Sequence, residues 1–226
     1  MIPLRDTIPS QRVAWMTRLL LVMNLAAFIL ELRQGSGLDA FLYRFGVVPA
    51  QWAISGSGDW LEWPRLFLTL MTSQFLHGGL LHLASNMLYL WIFADNVEDR
   101  LGHVRFLSLY LGSGTAAALT QLLISPGSSV PMVGASGAIA GVLGAYLLLF
   151  PSARIVTLVP LGLFLDQVEL PAFLFLGLWF LLQWVEGLTT IGQVADVGGV
   201  AFWAHIGGFL SGMLGILLLR PQRRWD

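Results

Sequence analysis

Residues 134–150 read GASGAIAGVLGAYLLLF, an apolar run that opens on a serine between small residues. The preceding Val130-Pro131 region is unsuited to a helix, whereas Ala138–Phe150 is suited to one. A helix that begins at Ser136 has about fifteen residues, and at 1.5 Å per residue it crosses only about two-thirds of the hydrocarbon layer. We therefore predict that the non-helical backbone around Gly134 is buried in protein or lines a water-filled cavity.

The whole chain shares this apolar character. Of its 226 residues, 56% are hydrophobic and 11% are charged, whereas a water-soluble protein of this size carries about 25% charged residues. Lipid is therefore the predicted main solvent. The formal net charge of −1 argues against nucleic acid as a partner, and the absence of cysteine excludes a thiol nucleophile and a thiolate metal site.

Hydropathy predicts an all-α membrane protein, a bundle of six transmembrane helices in a single domain over residues 1–226. The residues between the first and second spans, 33–79, are rich in aromatic side chains, and we expect this first loop to lie folded at the membrane interface. The predicted spans are 13–32, 80–94, 106–124, 136–150, 171–186 and 202–219.

Arginine is distributed unevenly among the predicted connections. Nine of the twelve arginines fall on the side that holds both termini, so the positive-inside rule predicts that both termini are cytoplasmic. The brevity of the chain and the lack of further domains favour a prokaryotic inner membrane.

Polar side chains inside the predicted spans are candidates for function, because such groups are expensive in lipid. Ser136 stands at a helix start, where free backbone N–H groups can stabilise an oxyanion. His82 and Asn86 are four residues apart and share a helix face. His205 carries an imidazole that can shuttle a proton near pH 7.

Each of these residues also has a structural explanation. Ser136 can be a helix N-cap among packing glycines, and His82 with Asn86 can supply hydrogen bonds between helices. A metal ion shared by His82 and His205 is a further alternative, although no carboxylate or third histidine lies at a comparable depth.

The spacing of the candidates places them at one level. Ser136 and His205 each lie fourteen residues before the predicted ends of their spans, at Phe150 and Leu219, or roughly 21 Å along a helix, and His82 lies at roughly 18 Å in its own span. Small residues let helices approach closely in lipid, which predicts that the fourth and sixth spans pack together. These residues are Gly137, Gly141 and Gly144 on the fourth span and Gly208, Gly212 and Gly215 on the sixth.

Five motifs in this order and spacing resemble the rhomboid family. They are Phe75-Leu76-His77-Gly78-Gly79, His82-x-x-x-Asn86, Glu98-Asp99-Arg100-Leu101-Gly102, Gly134-Ala135-Ser136-Gly137 and Ala204-His205-Ile206-Gly207-Gly208. The resemblance implies a six-helix core and a catalytic dyad of Ser136 and His205 without an aspartate. It also implies an oxyanion hole formed by His82, Asn86 and the Ser136 backbone N–H, and we assign Gly134 and Ala135 to the same oxyanion and substrate-binding group.

The sequence departs from the family pattern at two places. The Trp-Arg pair that many members carry in the first loop occurs here as Trp63-Pro64-Arg65. Ala140 occupies the position where some members place a tyrosine that stacks on the catalytic histidine. The orientation of His205 therefore depends on another side chain, with Trp203 as the candidate, or on none.

The predicted function is that of an intramembrane serine endopeptidase that cleaves transmembrane segments near the outer membrane face. Its predicted partners are single-span transmembrane proteins and the lipid bilayer, and no metal or cofactor is required. Two alternatives from other classes are a catalytically silent rhomboid-like protein that binds transmembrane clients, and a small transporter.

Overall fold

A computed structural model of the protein describes residues 1–55, 60–161, 164–190 and 201–219. Its helices are α1 Trp15–Leu32, α2 Leu38–Phe45, α3 Pro49–Ser55, α4 Trp63–Thr72, α5 Leu80–Leu101, α6 His103–Ile124, α7 Ser136–Leu149, α8 Ala172–Thr190 and α9 Phe202–Leu219. Its strands are β1 Ile2–Asp6, β2 Arg154–Leu161 and β3 Phe164–Pro171.

Each of the six predicted spans coincides with a helix. Four of these helices, α1, α6, α8 and α9, are long and apolar enough to cross a membrane. Helix α7 is a shorter apolar helix that begins at Ser136, as its sequence predicts. The protein is therefore a multi-pass integral membrane protein built mainly from helices.

Helix α5 is longer than predicted. It continues past Ala94 to Leu101, and the connection predicted over residues 95–105 shrinks to Gly102, whose φ of 78° suits glycine. The predicted span ends too early because the acidic residues after Ala94 lower the mean hydropathy of this part of the helix. The Glu98 carboxylate is nevertheless stabilised, since it accepts hydrogen bonds from the backbone N–H groups of Met16 and Thr17 at 2.9 and 2.8 Å. Glu98 thereby caps the start of α1, where free N–H groups favour an anion.

A three-stranded antiparallel sheet is the main element that the sequence did not predict. Strand β1 pairs with β2, and β2 pairs with β3 as a hairpin between α7 and α8. The partners of β1 lie far along the chain, since Ile2 pairs with Leu158. Local patterns carry little information about such distant pairing, because strand preference depends on tertiary context. We call the end of the bundle that carries this sheet the sheet end.

The loop before Ser136 is held by the first loop. Val47 and Met132 exchange both of their backbone hydrogen bonds, at 3.0 and 2.7 Å, and the Gly134 N–H donates to the Ser73 carbonyl at 2.9 Å. The non-helical backbone next to α7 therefore finds partners in protein, as the short helix predicts. The position of residues 33–79 at the membrane interface stays a prediction.

The Trp63-Pro64-Arg65 segment begins α4, with the proline in its first turn. Trp63 packs against Trp52 and Phe67, with ring centroids 5.8 and 5.5 Å away. The Arg65 guanidinium donates from Nε to Glu62 at 2.6 Å. The inserted proline thus leaves both the tryptophan and the arginine engaged within the first loop.

Glycines bring α7 and α9 into backbone contact. A Cβ atom placed on Gly212 would lie 1.9 Å from the Gly141 carbonyl oxygen, and one placed on Gly208 would lie 2.1 Å from the Gly137 carbonyl oxygen. No side chain fits at either position on α9. Gly215 contacts a different helix, since a Cβ there would lie 2.5 Å from the Leu109 side chain on α6. The glycines of α9 therefore pack against both α7 and α6.

A half-buried carboxylate connects the N-terminal strand to the helices at the sheet end. Asp6 Oδ2 accepts hydrogen bonds from the Tyr146 hydroxyl at 2.5 Å and from Asn96 Nδ2 at 2.6 Å. Burial raises the pKa of Asp6 from 3.8 to about 6, and the nearby Asp95 adds to the rise, although the hydrogen bond from Tyr146 opposes it.

The raised pKa of Asp6 predicts a pH-dependent contribution to stability. Folded protein binds the Asp6 proton more tightly than unfolded protein, so this contribution is full below about pH 4 and is lost as pH rises through about 6. Asp6→Asn removes this titration, and its Tm relative to wild type should therefore rise between pH 4 and 6.5. Intrinsic fluorescence of the nine tryptophans can follow unfolding in detergent.

The exposed Asp166 on β3 supplies the matched control. The Tm difference between Asp6→Asn and wild type is compared with that of Asp166→Asn at each pH, which separates the contribution of Asp6 from the removal of one carboxylate in general. A difference for Asp6→Asn that stays constant or falls over this range would contradict the assignment.

Candidate active site

Ser136 is the first residue of α7. Ala135 precedes it as N-cap, no side chain among the described residues caps the helix, and the first backbone bond of the turn runs from the Ile139 N–H to the Ala135 carbonyl at 2.9 Å. The N–H groups of the first turn therefore lack acceptors within the helix and carry its positive dipole end. An anion that forms at Ser136 would meet this partial charge.

His205 lies on α9 directly beside this serine. Its Nε2 is 2.8 Å from Ser136 Oγ, a hydrogen-bonding distance. The backbone contact between α7 and α9 described above makes this approach possible. The equal depth predicted for the two residues from their span ends agrees with this contact.

The second ring nitrogen of His205 faces α8. His205 Nδ1 lies 2.7 Å from Gln183 Oε1, and the ring centroid of Trp179 lies 5.9 Å from that of His205, with an interplanar angle of 35°. Both nitrogens of the imidazole are therefore engaged, and one face of the ring is covered by an indole.

His82 and Gly134 form a second contact around Ser136. Gly134 has a φ of 133°, a conformation that residues with a side chain rarely adopt. A Cβ atom there would lie 2.8 Å from His82 Nε2 and 3.5 Å from Ser136 Oγ. Glycine at 134 thus lets the His82 ring approach the serine.

Asn86 is 6% exposed, and its Nδ2 has no hydrogen-bond partner within the described residues. A buried amide donor without a partner is unfavourable by about 1–3 kcal/mol, and such groups are uncommon in folded proteins. The unpaired donor lies one helical turn after His82 on the cavity-facing side of α5. It is available to an oxygen atom that enters the cavity.

These side chains line one cavity of about 1000 Å³. Ligand pockets in proteins typically measure about 300–1,000 Å³, so this cavity has room for a segment of polypeptide. Its lining includes His82, Asn86, Gly134, Ser136, Trp179 and His205. The structure therefore brings together all four polar candidates from the sequence, and Gly134 with them.

The arrangement suits proton transfer better than metal binding. Within the described ranges, the histidine and acidic side chains form no group of three that could hold a metal ion. His205 has no free ring nitrogen for a metal, since one faces Ser136 and the other Gln183. A histidine beside a serine hydroxyl at a helix N-terminus is instead the pairing that activates a nucleophile.

The same residues lie inside a recognised domain, because residues 64–222 match the model of the Rhomboid domain. The chain belongs to the rhomboid family. It is 33% identical over 192 residues to the Rhomboid protease GluP of Bacillus subtilis, an alignment that covers 85% of this chain and 34% of that protein. The chain thus spans about a third of the Bacillus relative's length.

Other relatives come from eukaryotes. Rhomboid protein 1, mitochondrial, from Saccharomyces cerevisiae is 33% identical over 151 residues, covering 65% of this chain and 40% of that protein. RHOMBOID-like protein 6, mitochondrial, from Arabidopsis thaliana is 29% identical over 244 residues, covering 96% of this chain and 73% of that protein. Since bacterial and mitochondrial rhomboids are both similar to the chain, the prokaryotic inner membrane stays a prediction.

The structure identifies the neighbours of His205 in this rhomboid. Ala140 is fully buried, and a Cβ on Gly208 would already lie 3.3 Å from the Ala140 side chain, so a tyrosine at 140 would not fit. The proposal that Trp203 orients His205 is wrong. The Trp203 indole donates to the Gly187 carbonyl at 3.1 Å and packs edge-on against Trp184.

Sequence reasoning missed Gln183 and Trp179, the two residues that do contact His205. A signal for Gln183 was present, because an amide side chain inside the apolar α8 is unusual and such residues mark functional sites. Trp179 lies four residues earlier and therefore on the same helix face. Without the fold, nothing in the sequence connects this face of α8 with His205.

Proposed function

We propose that this rhomboid is an intramembrane serine endopeptidase in which Ser136 is the nucleophile and His205 the general base. One observation carries the proposal, namely the 2.8 Å distance between Ser136 Oγ and His205 Nε2 at the start of α7. An adjacent base of this kind is what activates a serine hydroxyl. The protease name of the Bacillus relative supports the same reaction class.

In the proposed reaction, Ser136 Oγ attacks the carbonyl carbon of a peptide bond and its proton passes to His205 Nε2. The C–N bond then breaks, and His205 returns the proton to the leaving amine. Water attacks the acyl-enzyme and gives a proton to His205; the acyl C–O bond then breaks, and His205 returns this proton to Ser136 Oγ as the acid product leaves. Every proton is accounted for by these two residues and water.

The oxyanion that forms on the carbonyl needs donors. The backbone N–H groups at the start of α7 and the unpaired Asn86 amide are available, and His82 lies next to Gly134 and Ser136. Preorganised donors of this kind are usually the largest contribution to catalysis of acyl transfer. We assign these groups, together with Gly134, to the oxyanion and substrate-binding site. Ala135, predicted as part of the same site, is fully buried as the N-cap of α7 and supports Ser136 from behind rather than contacting the substrate.

The proposed substrates are single-span transmembrane proteins. A transmembrane helix satisfies its own backbone hydrogen bonds, so a peptide bond becomes accessible only where the helix unwinds. We therefore expect cleavage near small or helix-breaking residues close to the outer end of the span. The pairing of β1 with β2 puts the N-terminal strand and the connection between α7 and α8 on the same side of the bundle. The arginine distribution along the chain leads us to propose that this side is cytoplasmic.

Cleavage in a defined membrane tests the proposal. Purified protein in liposomes should cleave members of a panel of single-span substrates, and Ser136→Ala should leave them intact. Mass spectrometry of the products gives the cleaved bond. Equal cleavage by Ser136→Ala would refute the assignment, whereas binding of the substrates by wild type without cleavage would identify a client-binding protein.

Asn86→Ala should slow the enzyme without abolishing its activity. Removing one of several oxyanion donors typically lowers kcat by about 10²–10³-fold, and KM should change little because the donor acts mainly on the transition state. Steady-state cleavage of one substrate measures both constants.

Asn24→Ala is the control for Asn86→Ala, since Asn24 is also buried but donates to the Leu20 carbonyl of its own helix α1. Its effect should fall on Tm rather than on kcat. A wild-type kcat for Asn86→Ala would exclude Asn86 from the oxyanion hole.

A further inference from the structure

We infer that Gln183 is a positioning residue that holds His205 in the tautomer with its proton on Nδ1. The inference rests on the proposed function, because only this tautomer leaves Nε2 free to accept the Ser136 proton. Gln183 would thereby carry out, with a neutral amide, the orienting task that a carboxylate performs in a three-residue serine protease site.

The first step is the placement of Gln183 on α8. Gln183 and Trp179 are one helical turn apart and therefore project from the same face, and both contact the His205 ring. The Trp179 ring packs against the imidazole with its centroid 5.9 Å away, while Gln183 Oε1 lies 2.7 Å from Nδ1. These two contacts restrict how the His205 ring can rotate.

The second step is the orientation of the Gln183 amide. Gln183 Nε2 lies 3.4 Å from the Trp179 backbone carbonyl. A carbonyl oxygen can only accept a hydrogen bond, so the NH₂ group of the amide must face it. The amide oxygen is thereby directed at His205, in agreement with the 2.7 Å contact.

The third step follows from what an amide oxygen can do. It accepts but does not donate, so the His205 nitrogen that faces it must carry a proton. The tautomer of a neutral imidazole is set by the bond that its second nitrogen makes. With the proton on Nδ1, the lone pair of Nε2 points at the Ser136 hydroxyl 2.8 Å away and can accept its proton.

The inference predicts different outcomes for two substitutions of similar length. Gln183→Met removes the acceptor and should lower kcat about tenfold or more, with KM unchanged, because a His205 ring without a fixed tautomer carries its proton on Nε2 part of the time and cannot then accept the serine proton. Loss of such a partner from a metal-binding histidine lowers activity by about 10–100-fold, which gives the scale. Gln183→Glu keeps an oxygen opposite Nδ1 and should recover most of this loss. Gln167→Met, on the exposed surface of β3, should match wild type.

The tautomer can be read without any measurement of activity. The chain contains four histidines, and ¹⁵N-histidine spectra in lipid distinguish a protonated ring nitrogen from a bare one. The His205 signals are identified by their loss in His205→Ala. Wild type and Gln183→Glu should show a protonated Nδ1 and a bare Nε2 at His205, whereas Gln183→Met should lose this single tautomer.

Three results would overturn the inference. They are a wild-type kcat for Gln183→Met, an unchanged Nδ1–H tautomer in that variant, and a wild-type protein whose proton resides on Nε2. The proposed function fails separately, if Ser136→Ala still cleaves substrate. In that case the ¹⁵N spectra still decide whether Gln183 sets the tautomer.

Discussion

Replacing His205 with alanine should lower kcat by about 10⁴-fold or more while the protein stays folded. His205 is the only described side chain with a basic nitrogen at hydrogen-bonding distance from Ser136 Oγ, so its loss leaves the hydroxyl without a proton acceptor. Losses of this size follow removal of the nucleophile or the base in serine proteases. Cleavage of one substrate in liposomes, measured beside the Tm of the variant, tests the expectation.

His103→Ala is the matched control for this loss. His103 begins α6 and its Nδ1 lies 2.5 Å from Glu98, the residue that caps α1. Its removal should lower Tm and leave kcat close to wild type. Activity of His205→Ala within about tenfold of wild type would mean that another group accepts the serine proton.

Gly212→Ala should have the second largest effect, on stability and activity together. The added Cβ would lie 1.9 Å from the carbonyl oxygen and 2.5 Å from the carbonyl carbon of Gly141. Backbone atoms of a packed helix cannot rotate out of the way, so α7 and α9 must separate. Overpacking of this kind typically destabilises a protein by about 1–3 kcal/mol or more. Since the separation also moves Ser136 from His205, activity should fall by at least about 10²-fold.

Gly112→Ala provides the comparison, because nothing lies within 4 Å of a Cβ at that position on α6. Alanine is the better helix former by about 1 kcal/mol, so this variant should be at least as stable as wild type and fully active. If Gly212→Ala matched Gly112→Ala in Tm and kcat, the close packing of α7 against α9 would be wrong.

The parts of the site that could be predicted from the sequence are those set by helix geometry. Ser136 and His205 lie the same number of residues before the ends of their spans. Because the rise per residue of a helix is fixed, the sequence predicts that they lie at the same depth. His82 and Asn86 were placed on one face by the four-residue spacing. The glycines of α7 and α9 indicated close packing because small residues have few other uses in an apolar helix.

The parts that could not be predicted depend on contacts between distant segments. Hydropathy ended α5 at Ala94, because it cannot register that Glu98 is paired with the start of α1. The sheet joins β1 to a hairpin that begins at Arg154, a pairing that no local pattern encodes. Gln183 is a polar residue within the apolar α8, yet only the packing of α8 against α9 connects it with His205.

Covalent labelling of the serine tests the central claim most directly. A fluorophosphonate probe reacts only with an activated serine hydroxyl, and peptide mapping by mass spectrometry locates the adduct. Wild-type protein should carry the adduct on Ser136, Ser136→Ala should carry none, and His205→Ala should react far more slowly, because the base that removes the serine proton is missing. Labelling of Ser136→Ala to the same extent as wild type, or an adduct on a different serine, would contradict the account.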